Sequence, residues 1–175
     1  MLLLLAGCAA LPAPRPEPGG FTLRGKVGVV DGARSFSARF LWQQRDDAFD
    51  IELWGPFGQG RVQLLGDRQR LALVDGDGQV LSRGRPEAVM REQLGWALPL
   101  SVLPRWVQGE PDPALPVAER VFDEAGQLVA FRQLDWQVQL QRFAPAGSAG
   151  RVLPFLVSAR RADYRVRLAI SGWQI

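Results

Sequence analysis

The stretch Ser35-Phe36-Ser37-Ala38-Arg39-Phe40-Leu41-Trp42 decides the fold class. Phe36, Ala38, Phe40 and Trp42 share one parity, with Ser37 and Arg39 between them. Successive side chains of a strand point to opposite faces, so this is a strand with one apolar and one wet face. The same period runs on both sides. Phe49, Ile51 and Leu53 alternate with Asp50 and Glu52, and Phe21, Leu23, Val27 and Val29 share a parity upstream. Far downstream, Trp136, Val138 and Leu140 alternate with Gln137, Gln139 and Gln141, and Val166, Leu168 and Ile170 alternate with Arg165, Arg167 and Ala169. Asp31-Gly32, Gly66-Asp67 and Asp75-Gly76-Asp77-Gly78 supply turns between strands. The small residues Ala144 to Gly150 read as a loop.

Two segments break the alternation. Pro86 to Leu94 predicts a helix, with Pro86 suited to its first turn and Gly95 just past its end. Leu100 to Val107 predicts a second, shorter helix closed by Gly109, and the Pro-rich stretch Glu110 to Pro116 reads as a linker within the domain. The order is strands, two helices, strands. It predicts one curved antiparallel sheet with helices over its concave side. The inward aromatics Phe36, Phe40, Trp42, Phe49, Trp136 and Trp173 fit an ordinary filled core or a core that leaves a pocket, and the pattern alone leaves both open.

The 175 residues fit one domain, and 47% hydrophobic content with nine Phe and six Trp argues against disorder. The absence of His rules out imidazole catalysis and His-ligated metal, and a single Cys rules out an internal disulfide. No cofactor or metal is expected. No phosphate-binding loop with its Lys is present, and the serines lack a nucleophile-elbow context. Asp75 to Gly78 lacks the downstream acids of a calcium loop and reads as a hairpin turn, and Asp46-Asp47 as a solvated turn. The expectation is a protein that is not an enzyme. A net charge of +3 does not compel nucleic-acid binding. Arg160, Arg161, Arg165 and Arg167 form the densest basic group, which reads as a solvated face, or as a dock for an acidic protein or for anionic headgroups.

The amino terminus carries its own signal. Leu2 to Leu5 form an apolar run, and Leu5-Ala6-Gly7-Cys8 resembles the bacterial lipobox. That resemblance implies cleavage before Cys8 and acylation of its thiol and its new amine. The seven residues ahead of Cys8 lack Lys and Arg and fall short of the roughly 15 of a full signal, so a longer start is expected. Residues 1–7 are then a signal remnant, and residues 8–20, with Pro12, Pro14, Pro16 and Pro18, an extended tether. Residues 21–175 read as a single domain. Ala9, rather than Asp, implies sorting to the outer membrane.

Over nearly the whole mature chain the sequence resembles the LolB family of outer-membrane lipoprotein receptors. The matching pieces are Cys8 with its lipobox, Phe21 to Val29, Phe40 to Gln43, Leu53 to Gly58, Leu94 to Leu100, Leu103 to Gly109, Trp136 to Val138, Leu153-Pro154 and Val166 to Trp173. Their order and spacing carry the resemblance. It implies an incomplete antiparallel barrel of about eleven strands covered by helices. It also implies a hydrophobic cavity for the acyl chains of cargo lipoproteins, delivery by the periplasmic carrier LolA, and release into the inner leaflet of the outer membrane. A monomer anchored by lipid and facing the periplasm is expected. Phe57 matches the exposed apolar residue of the family's membrane-insertion loop, within Trp54, Pro56 and Gly58; Phe in place of an aliphatic residue is a departure. The cavity and its lid are expected at Phe36, Phe40, Trp42, Phe49, Met90, Leu94, Leu103 and Trp136. The alternative is a lipid-anchored, lipocalin-like module that binds another hydrophobic ligand.

Overall fold

The computed structural model describes residues 20–32, 34–55, 58, 60–148 and 150–175. Cys8, the tether to residue 19, Pro56 and Phe57 lie outside the described residues. The first six strands, β1 (Phe21–Asp31), β2 (Arg34–Arg45), β3 (Ala48–Trp54), β4 (Val62–Gly66), β5 (Leu71–Asp75) and β6 (Val80–Gly84), run as one meander. Two helices follow, α1 (Pro86–Leu94) and α2 (Leu103–Val107). A second meander holds β7 (Ala118–Phe122), β8 (Leu128–Gln133), β9 (Trp136–Ala146), β10 (Arg151–Arg161) and β11 (Tyr164–Gln174).

All eleven strands form one antiparallel sheet in the order β6-β5-β4-β3-β2-β1-β11-β10-β9-β8-β7. The first and last strands, β1 and β11, pair at its centre, from Thr22 opposite Gln174 to Asp31 opposite Tyr164. The edges are β6 and β7, and they do not pair with each other, so the barrel stays open. This topology decides where the helices go. The chain leaves one edge at Gly84 and must reach the other at Ala118. It crosses the concave face, and α1, α2 and the segment between them become its cover.

The alternation places the core as expected. Phe21, Leu23, Val27 and Val29 of β1, Ala38, Phe40 and Trp42 of β2, and Phe49, Ile51 and Leu53 of β3 are buried, as are Trp136, Val138, Leu140, Val166, Leu168 and Ile170. Phe36 is only half-buried and packs against the core. Gly25 marks a close approach: a side chain there would strike the Ala169 carbonyl, where the β1–β11 register shifts.

Helix α1 spans the residues expected, with Pro86 in its first turn and Gly95 in the left-handed conformation that ends it. Helix α2 is shorter than expected and starts at Leu103, not Leu100. Pro104 is the reason: it has no N–H to donate and is tolerated only in a first turn. The residues ahead of it form tight turns, with the Val102 and Leu103 amides donating to the Pro99 carbonyl. The expected loop Ala144 to Gly150 is also shorter. Ala144, Pro145 and Ala146 pair with Leu153, Val152 and Arg151, which leaves the turn to residues 147–150. Small side chains there do not break the ladder of a long hairpin.

Candidate functional site on the concave face

The site is the interface between the sheet and its cover. Met90 of α1, Leu103 of α2, and Trp96, Leu98 and Leu100 between the helices are all buried against Phe40, Trp42, Ile51 and Leu64 of the sheet. They enclose a space of about 30 Å³. Among the described residues this space is too small for an acyl chain, which would enter it only as the cover moved.

Of the residues expected at the cavity, Phe40, Trp42, Met90 and Leu103 meet at this space. Phe36, Phe49, Leu94 and Trp136 do not line it. Phe49 is buried in the core without reaching it, and Leu94 is half-buried at the end of α1. Phe36 packs with its ring 5.2 Å from that of Trp96. Trp136 belongs to a second aromatic group under α2, where its ring meets those of Trp106 and Tyr164 at 6.4 and 5.6 Å. Of the loop residues, Trp54 is half-buried at the end of β3, with the Arg61 guanidinium 5.8 Å from its ring centre, and Gly58 is exposed.

The cover is held unevenly. Helix α1 packs on β5 and β6, and α2 on β10. Beneath α2 a buried polar knot ties the chain down. Gln133 is only 1% exposed, and its Oε1 accepts from Trp106 Nε1 and from the Asp112 amide, each at 2.9 Å. Its Nε2 donates to the Asp112 carbonyl at 2.8 Å. The stretch from Glu110 to Pro116 is thus pinned at Asp112 and is more than a passive linker. Between the helices the hold is slighter. The Ala97 amide donates to the Tyr164 hydroxyl at 2.9 Å, and among the described residues the rest is apolar contact. Burial raises the Tyr164 phenol above its ordinary 10.0, while the Ala97 hydrogen bond pulls it down.

The residues missed from sequence are Trp96, Leu98, Leu100, Trp106 and Gln133. The first three had a visible signal: they repeat with period two between the helices, as an extended segment laid on an apolar surface would. Gln133 had none, because a buried polar residue is set by partners far away in the chain. Trp96 Nε1 is buried and has no acceptor among the described residues.

An open eleven-stranded antiparallel half-barrel, whose apolar hollow is covered by two short helices and an extended segment, defines the class of protein. No helix among the described residues is long and apolar enough to cross a membrane. The sequence matches the family model "Outer membrane lipoprotein LolB" over residues 20–173. The Outer-membrane lipoprotein LolB of Chromohalobacter salexigens is 34% identical, over 100% of this chain and 87% of the relative. That of Stutzerimonas stutzeri is 36% identical over 99% and 92%, and that of Halorhodospira halophila 31% over 98% and 90%. The chain belongs to this family, the outer-membrane lipoproteins of the Lol pathway.

Proposed function

We propose that this protein is anchored by lipid on Cys8, accepts lipoproteins from the periplasmic carrier LolA on its concave face, and inserts them into the inner leaflet of the outer membrane. The observation that carries the proposal is an apolar hollow closed by a cover whose middle segment is held, among the described residues, by the Ala97–Tyr164 hydrogen bond. Acyl chains enter as residues 97–100 swing out, and their contacts replace those of Leu98 and Leu100. Met90, with its flexible thioether, adapts to chains of different shape. Trp96 Nε1 supplies a buried donor for the ester or amide carbonyl at the head of a chain.

The energetics need no nucleotide. A chain of about sixteen carbons carries roughly 12 kcal/mol of burial at about 0.8 kcal/mol per methylene. Carrier, hollow and bilayer each supply a similar amount, so small differences in affinity set the direction. The swing of the cover subtracts from affinity in the hollow and keeps it below that of the bilayer. Phe57, which lies between β3 and β4 in the sequence, enters the membrane, with Trp54 at headgroup level.

The test is transfer. LolA loaded with a labelled lipoprotein is mixed with this protein and then with liposomes. Label is expected to move to this protein and on to the liposomes, and Phe57→Glu is expected to accept cargo but deliver it poorly. No movement of cargo overturns the proposal, and equal delivery by Phe57→Glu removes the loop from it. A lipocalin-like binder of another ligand would bind apolar probes and leave the cargo on its carrier.

A further inference from the structure

We propose that the outer face of the sheet, on the side away from the cover, carries a second site that binds the anionic headgroups of glycerophospholipids. The outer face holds a groove of about 650 Å³ across β2, β1, β11, β10 and β9. Two cross-strand rows build it. One runs Ser37, Gly28, Arg167, Ser158, Gln139, and the other Ser35, Val30, Arg165, Arg160, Gln137. The lining holds three arginines, hydroxyls and amides, and no carboxylate. Guanidinium forks with hydroxyl donors are the groups that bind phosphoryl oxygens.

Three features mark the groove as more than a solvated face. Arg160 and Arg165 stand directly opposite each other, a like-charge pair that destabilises a sheet. Among the described residues, none of the three arginines has an ion-pair partner in the protein. Arg160 is already held in place, its Nε donating to Gln137 Oε1 at 2.7 Å. The third feature is Gly28. It has no positive φ, and a side chain there would meet nothing within 4 Å. Neither the backbone nor the packing requires glycine, although glycine weakens a strand interior. A ligand that approaches the floor of the groove would require it.

The occupant follows from what adjoins the groove. The next row along the outer face runs Trp54, Arg39, Lys26, Ala169. An aromatic ring followed by two more cations is the composition of a membrane interface. Glu52, on the neighbouring strand, is engaged by Arg61 at 3.4 Å. A carrier docked in this groove would sit behind the sheet, away from the hollow that takes cargo, so the headgroup is favoured over an acidic protein. The site does not depend on cargo uptake.

The experiment uses the full chain with Cys8→Ala, which removes the acyl anchor, and phosphatidylcholine vesicles with and without phosphatidylglycerol. Flotation is expected with the anionic vesicles only. Each basic side chain near an anionic surface strengthens partitioning about fivefold, so R165Q/R167Q is expected to weaken it about twenty- to thirtyfold. G28L keeps every charge and is expected to weaken it on the order of tenfold, the loss of a charge-assisted contact, with thermal stability at or above that of the parent. R83Q/R120Q removes the same charge at the two sheet edges and is expected to float as the parent does. Wild-type partitioning of G28L, equal losses in R83Q/R120Q and R165Q/R167Q, or equal flotation with pure phosphatidylcholine would each overturn the proposal. So would binding of a polyglutamate peptide, lost in both groove variants, without vesicle binding. Cargo transfer, measured separately, is not expected to decide the result.

Discussion

The amide of Ala97, midway along the cover, donates to the hydroxyl of Tyr164 at 2.9 Å, and this hydrogen bond ties the segment between the two helices to the sheet. Tyr164 also opens β11 and packs its ring edge-on against Trp136. One phenol thus joins the segment between the helices to the aromatic group under α2.

Tyr164→Phe keeps the ring and deletes the acceptor. The Ala97 amide loses its partner at a cost of about 1–3 kcal/mol. The expected result is a folded protein with faster amide exchange at residues 95–100 and stronger binding of an apolar dye. Exchange unchanged in that segment would remove the bond from control of the cover. Burial of the same phenol gives a pH dependence, which the Ala97 bond opposes. The folded state holds the Tyr164 proton more tightly than the unfolded chain does, because burial raises it above 10.0. Its contribution to stability is complete below pH 10 and is lost as the pH rises past that value. Denaturation midpoints measured across that range should fall in the parent and fall less in Tyr164→Phe.

Gln133 is the corresponding fixed point. Gln133→Leu conserves bulk and orphans Trp106 Nε1 together with the Asp112 amide and carbonyl. Three buried polar groups without partners cost about 3 kcal/mol or more. For a chain of this size that is a fall in Tm of roughly 6–12 °C. Calorimetry is the measurement, and a change under about 1 kcal/mol would mean that water replaces the side chain.

The difference between these residues explains what the sequence discloses. Phe40 and Trp42 are legible because period two is a local property, and a wet face needs polar residues in between. Pro86 and Gly95 are legible because capping is local too. The half-barrel follows from the number of such runs and the family resemblance together. The closed hollow is not legible: whether Leu98 and Leu100 fill the space or leave it depends on fractions of a side-chain volume. Nor is the groove legible as a groove. Arg165 and Arg167 announce a basic face, but their meeting with Arg160 and Gly28 depends on the registers of β1 and β10 against β11.

Leu103 tests the packing of the hollow itself. It is 4% exposed and lines the residual space with Met90. Leu103→Ala enlarges that space, at about 2–5 kcal/mol of stability. A cover already partly detached from its floor binds an apolar chain with less rearrangement, so affinity for a fluorescent fatty acid is expected to rise while Tm falls. Parallel losses of both would place the ligand somewhere other than beneath the cover.

Trp96 offers the sharpest chemical discrimination. It is 5% exposed, lines the same space, and its Nε1 has no acceptor among the described residues. A buried donor in that state costs about 1–3 kcal/mol, which a ligand carbonyl would relieve. Ester-linked and ether-linked lipids of equal chain length bury the same apolar surface and differ in that carbonyl. The protein is expected to prefer the ester on the order of tenfold, the equivalent of one recovered hydrogen bond. Trp96→Phe removes the N–H and keeps an aromatic ring against Phe36, so it is expected to bind both lipids alike and to unfold no more easily than the parent. Competitive displacement of a fluorescent probe measures the ratio. A parent protein that fails to distinguish the two linkages would leave Trp96 as packing alone, whereas a preference that survives in Trp96→Phe would assign the carbonyl to another donor.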